Sequence, residues 1–127
     1  MITGIVNEHH EALIPLRVRN SQGREENILA VVDTGFNGSL SLPSELISKL
    51  ELEFQRRGLA QLADGSEIIF NIYNGWVIWD ELPRRVKIDE ANTDPMIGMN
   101  LLSGFQLKID VERGGAVTIQ QLSKSSV

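Results

Sequence analysis

The sequence predicts a mainly β protein with one or two short helices. Three observations carry that reading. Apolar and polar residues alternate at the strand period from Ala12 to Arg19, with Ile14, Leu16 and Val18 facing inward. Turn-forming clusters punctuate the apolar runs, among them Asn20-Ser21-Gln22-Gly23, Asp64-Gly65 and Glu112 to Gly115. Helical spacing of apolar residues is short-lived, confined to Leu46, Ile47 and Leu50 and to one turn at Asn100 to Ser103.

Each element follows in chain order. Met1 to Asn7 reads as a short strand, and Ala12 to Arg19 as a second whose Pro15 suggests an edge or a strand start. Asn27 to Asp33 is a third, forming a hairpin with the second. Leu40-Ser41-Leu42 is extended, and Pro43-Ser44 opens a helix with Ser44 as its expected cap. Glu51 to Gly58 is charged and expected to be exposed. Leu59 to Leu62 and Glu67 to Tyr73 flank Asp64-Gly65, a two-residue hairpin signal. Asn74-Gly75 admits either a hairpin turn or a glycine bulge in one long bent strand. The bulge is preferred, because Asp80-Glu81-Leu82-Pro83 is the richer turn and Arg84 to Ile88 supplies the returning strand. Met96-Ile97 ends a strand at Gly98, and Phe105 to Val111 pairs with Val117 to Gln121.

Composition narrows the function. At 127 residues the chain is expected to form one domain, 1–122, with a tail at 123–127. Net charge is −5, and the pairs Arg56-Arg57 and Arg84-Arg85 are too sparse for a phosphate-tracking groove, which argues against nucleic acid. No apolar run reaches membrane-spanning length and no signal-peptide pattern opens the chain, so a cytoplasmic protein with no membrane partner is expected. There are no cysteines, which removes thiolate catalysis and Cys-based zinc sites. His9-His10 has no third ligand at a suggestive spacing, so no metal is expected there.

The chemistry concentrates in Val31-Val32-Asp33-Thr34-Gly35, where an apolar strand delivers a carboxylate into a tight turn. An ionisable group in that position is costly unless its surroundings pair it or shift its pKa. The segment Val31 to Leu40 resembles the active-site loop of retropepsin-like aspartic proteases. Two further features strengthen the likeness: a Gly-tipped hairpin, Leu62-Ala63-Asp64-Gly65-Ser66-Glu67, and the segment Pro95-Met96-Ile97-Gly98-Met99-Asn100-Leu101-Leu102. Together they span roughly residues 5 to 111 in the family's order. The helix begun by Leu42-Pro43-Ser44 resembles small bacterial, notably cyanobacterial, members.

The resemblance implies a closed β-barrel or sandwich of antiparallel strands, active as a homodimer because the motif occurs once. It implies Asp33, Thr34 and Gly35 as catalytic residues, Thr34 locking the two loops together and Gly35 leaving room for water and substrate. The aspartic-protease chemistry that it implies needs no cofactor. Asp64, Gly65 and Ser66 would form the tip of a flap, while Phe36, Asn37, Leu40 and Met96 would line the cleft. Retroviral members carry an acid where this chain has Asn37 and an Arg where it has Met99, an ion pair absent here. The dimer must therefore be held by other contacts or be weak. Phe36 replaces a small residue and should narrow the cleft.

Two functional readings remain. One is a homodimeric aspartic endopeptidase acting on extended peptides. The other is a catalytically silent dimer that binds peptides or proteins in the same groove. A separate, purely structural reading makes Asp33 a turn-capping side chain.

Overall fold

The computed structural model describes residues 1–123; the rest of the expected tail lies outside them. Ten strands and two helices alternate as β1 (Ile2–Val6), β2 (Ala12–Arg19), β3 (Glu25–Val32), β4 (Leu40–Leu42), α1 (Ser44–Lys49), β5 (Glu53–Gln61), β6 (Glu67–Trp79), β7 (Leu82–Glu90), β8 (Met96–Ile97), α2 (Met99–Leu102), β9 (Phe105–Ile109) and β10 (Ala116–Gln121). The strand order is β5-β6-β7-β4-β8-β3-β2-β1-β10-β9, and β6 also pairs with β2. That extra pairing closes a ring of six strands: β2, β3, β8, β4, β7 and β6. The fold is thus a mainly β closed barrel, as expected, but its strands are not all antiparallel, since β3–β8 and β4–β7 pair in parallel.

β2 makes the closure possible by dividing one edge between two partners. Ala12 and Leu13 pair with β1, and Arg17 to Arg19 pair with β6. Pro15 falls between, where neither partner needs an N–H donor. It is therefore not at the strand start but in mid-strand, on a short stretch of edge that neither partner covers. The alternation read from sequence holds: Ile14, Leu16 and Val18 are buried, joining Leu40, Ile88, Ile97, Leu101, Val117 and Ile119 in one core.

Three local expectations need correction. Ser44 is the first helical residue and Pro43 the cap, without a side-chain hydrogen bond. The Ser44 side chain instead acts on Glu90, as the largest influence holding that carboxyl below its ordinary value. β6 does run unbroken from Glu67 to Trp79, but it has no bulge at Gly75, which pairs in register with Val86. The irregularity lies in the partner strand, between Phe54 and Arg56. Gly75 serves close packing, since a Cβ there would meet Ile88 Cδ1 at 2.5 Å. Finally, the Asp64-Gly65 turn has three loop residues rather than two. Leu62 N donates to Ser66 O, and Gly65 takes the left-handed conformation, φ 87°.

β5 begins at Glu53, so the charged stretch is strand as well as exposed. Beyond Ile72 toward the tip, β6 pairs with β5 alone, leaving a two-stranded arm that projects from the barrel. Among the described residues, no helix is long and apolar enough to cross a membrane.

The glycines separate rigid from yielding contacts. A Cβ on Gly4 would lie 1.9 Å from the Leu13 carbonyl oxygen, whereas one on Gly75 meets only the end of a flexible side chain. Gly4→Ala should cost about 3 kcal/mol or more and Gly75→Ala about 1 kcal/mol. Urea denaturation checks this; equal losses would contradict the packing described.

Candidate active site

Asp33 follows directly on β3. Its N–H donates to Ile97 O at 2.9 Å, extending the parallel β3–β8 pairing one residue past the strand. Its Oδ1 accepts the Gly35 N–H at 2.9 Å, closing the turn with its own side chain. The chain then loops over the end of β8 and returns as β4, antiparallel to β8. The two-residue strand β8 is therefore gripped from both sides by the segments flanking the loop.

Helix α2 holds the loop from below. The first N–H groups of a helix have no partner within it. Here Gly98 N donates to Ser39 O at 3.0 Å, Met99 N to Phe36 O at 2.8 Å and Asn100 N to Gly38 O at 3.1 Å. Ser39 Oγ adds a 2.7 Å hydrogen bond to Asn100 Oδ1. From the other end, Arg84 Nη1 donates to Leu101 O at 3.0 Å. Sequence reading missed Ser39, Asn100 and Arg84 as supports; only the Asn of Met99-Asn100-Leu101-Leu102 gave a local signal.

The residues expected at the site divide into several groups. Asp33 is partly exposed, while Thr34, Gly35 and Asn37 are exposed on the loop. Met96 is partly exposed, opposite Val31. Phe36 is half-buried, its ring folded over the loop. A Cβ on Gly38 would lie 2.5 Å from Phe36 Cζ, and one on Gly98 2.6 Å from Phe36 Cδ2. The three residues are mutually dependent, because the ring needs both glycines bare. Leu40 does not line the cleft. It is 0% exposed within the core and underpins the loop from inside. Asp64, Gly65 and Ser66 sit at the exposed arm tip, where Asp64 Oδ1 accepts the Ser66 N–H and hydroxyl. The Ser66 bonds hold the Asp64 carboxyl below its ordinary value. His9 and His10 are exposed turn residues, and no group of metal-ligating side chains converges among the described residues.

A second acid borders the loop. Asp89 on β7 places Oδ2 where a Cβ on Gly38 would be 3.3 Å away. Burial raises its pKa, opposed in part by the charge of Arg56. Nothing in the sequence singled it out, since the returning strand was expected to end at Ile88.

A six-strand ring carrying one Asp-Thr-Gly loop over a short inserted strand is a retropepsin-like architecture. The fold is similar to that of EIAV protease, solved in complex with the inhibitor HBY-793, with a TM-score of 0.56 and 11% identity, covering 76% of this chain and 88% of that one. It is also similar to a retropepsin-like aspartic protease from Rickettsia conorii, with a TM-score of 0.56 and 17% identity, covering 96% of this chain and 91% of that one. No protein-family model and no curated protein matches the sequence. The likeness therefore lies in the fold.

The raised pKa of Asp89 has a consequence for stability. An acid that binds its proton more tightly when folded makes stability fall as pH rises above the ordinary value, here 3.8. Asp89→Asn removes that loss. The variant should melt above the native protein near about pH 7, with the gap closing toward about pH 3. Thermal melts at both values check this, and a gap independent of pH would count against it.

Proposed function

We propose that the protein is an aspartic endopeptidase that acts as a homodimer, residues 1–122 forming its catalytic domain. The observation that carries this reading is the Asp33-Thr34-Gly35 turn, held by α2 at the rim of a retropepsin-like barrel. One chain supplies one such loop, so a dyad needs two copies. Exposed Thr34 and Met99, the latter 47% exposed, present the loop and the helix beneath it for that contact. β1 is already paired with both β2 and β10, so the dimer contact is assigned to the loop and arm rather than to an exchanged N-terminal strand.

Two carboxyls within hydrogen-bonding distance cannot both ionise cheaply, so they share one proton. The ionised Asp33 takes a proton from the water between them as its oxygen attacks the scissile carbonyl carbon. The protonated Asp33 of the partner subunit gives its proton to the carbonyl oxygen. As the tetrahedral intermediate collapses, the acid that took the water's proton passes it to the departing nitrogen, the C–N bond breaks, and a hydroxyl of the intermediate returns its proton to the other acid, so that the dyad again holds one proton. Residues 64–66 close over the peptide and exclude water. The chemistry asks for no metal, cofactor or covalent intermediate.

The exposed arm supports this assignment. Leu59 and Ile69, opposite one another, are 62% and 68% exposed, an apolar pair suited to covering an extended peptide.

Two measurements test the reading. Asp33→Asn should lower peptide cleavage by about 10²–10⁴-fold or more while the protein stays folded, and pepstatin should inhibit the native form. Activity per chain should fall on dilution in step with the dimer fraction seen by sedimentation. A native protein that binds peptides yet cleaves none at any pH would establish the silent module instead.

A further inference from the structure

The strand registers set Val31, Met96, Ser41, Asp89 and Ile72 opposite one another across β3, β8, β4, β7 and β6. Residues directly opposite in a sheet share a face, so these five form one row. The row starts two residues before Asp33, on the side to which the strand alternation also directs that residue. It is not part of the main core. Ile72 is 5% exposed yet stands outside the core cluster.

The row contains two polar groups that the chain leaves unsatisfied. Ser41 is 2% exposed, and its Oγ has no hydrogen-bond partner. Among the described residues, Asp89 takes part in no side-chain hydrogen bond or ion pair, and Arg56, beyond Ile72 on β5, acts on it only through space. A buried hydroxyl without a partner and a half-buried carboxyl without a counter-ion both cost stability. Glycine at position 38 matters here, because a side chain there would stand on the Asp89 carboxyl.

We infer that Asp89 forms an acidic subsite beside the Asp33 loop, which takes a lysine or arginine side chain of the bound peptide. Ser41, opposite Asp89, is its positioning residue, donating its hydroxyl proton to the carboxylate once a cation occupies the subsite. Phe36 forms the apolar wall along which the aliphatic stem of such a side chain lies. This deepens the peptidase reading and rests on it for the cleavage step alone.

The test uses matched peptides that differ at one position near the scissile bond, carrying Lys, norleucine or Glu. Two readouts are taken: kcat/KM with the native protein, and Kd by fluorescence anisotropy with the full-length Asp33→Asn protein. The Lys peptide should be favoured over norleucine by about tenfold in both, and Glu disfavoured. Asp89→Asn should collapse the Lys-to-norleucine ratio, chiefly through KM. Ser41→Ala should reduce it in part, and Ser41→Thr should restore it. Equal handling of Lys and norleucine by the native protein in both readouts overturns the subsite, whatever the variants do. A Lys preference that survives Asp89→Asn also overturns it. Lys-selective binding without cleavage upholds the subsite and sinks the peptidase reading. Neither binding nor cleavage sinks both.

Discussion

The site depends on how a strand of two residues is held. Met96 and Ile97 pair parallel to β3 and antiparallel to β4, and the chain between those strands must cross over the end of β8. That crossing is the Asp33 loop. Its carbonyls at Phe36, Gly38 and Ser39 are taken up by the N–H groups of Gly98 to Asn100, which would otherwise be orphaned at the start of α2. Loop and helix thus satisfy each other. Gly98 is the condition for this contact, because a Cβ there would approach Gly38 O at 2.2 Å.

Much of this was legible in sequence, for identifiable reasons. Asp33-Thr34-Gly35 and Met96-Ile97-Gly98 are compact local signals, and the β2 alternation reflects a strand with one buried face. What sequence did not carry was mostly long-range. Closure through β2–β6 joins Arg17 to Ile78 and has no local signature. The first half of β5 lacks alternation because almost all of its side chains are exposed. Leu40 and Met96 are both apolar residues beside the motifs, yet one has no exposed surface and the other is partly open. Hydrophobicity alone cannot tell a strand face turned to the core from one turned to a groove. Asp89 was invisible for the converse reason, since a charged residue at a strand end reads as solvated until its neighbours are known.

The arm and the loop stand at opposite ends of local stability. The loop is tied to β8 and α2 by backbone bonds and is backed by fully buried Leu40 and Leu101. Beyond Ile72 the arm has its own cross-strand bonds and, at its base, one tie to β7, where Asn71 Nδ2 donates to Glu90 Oε1 at 3.0 Å; a two-stranded ribbon alone is marginal in water. Segments with few buried contacts open at low free energy, which would suit the proposed flap that admits a peptide and closes over it. Its apolar residues, Leu59, Ile68 and Ile69, make an open arm unfavourable in water and a covered one favourable.

The glycines of the site separate what the chain needs for itself from what the proposed assembly needs. Gly98 is required by the loop carbonyls, and Gly38 by the Phe36 ring. Gly35 is required by neither. Its φ lies outside the left-handed region, and a Cβ there would touch only Asp33 Oδ1, at 3.3 Å. Within one chain, a methyl group at position 35 would crowd the Asp33 carboxyl, which the Gly35 N–H holds in place, and the carboxyl would have to yield by a few tenths of an ångström. The space it leaves empty lies against the carboxylate, where the proposed mechanism puts the hydrolytic water and the partner's carboxyl. A bare glycine leaves the Asp33 carboxyl uncrowded, which a site shared between two copies would require.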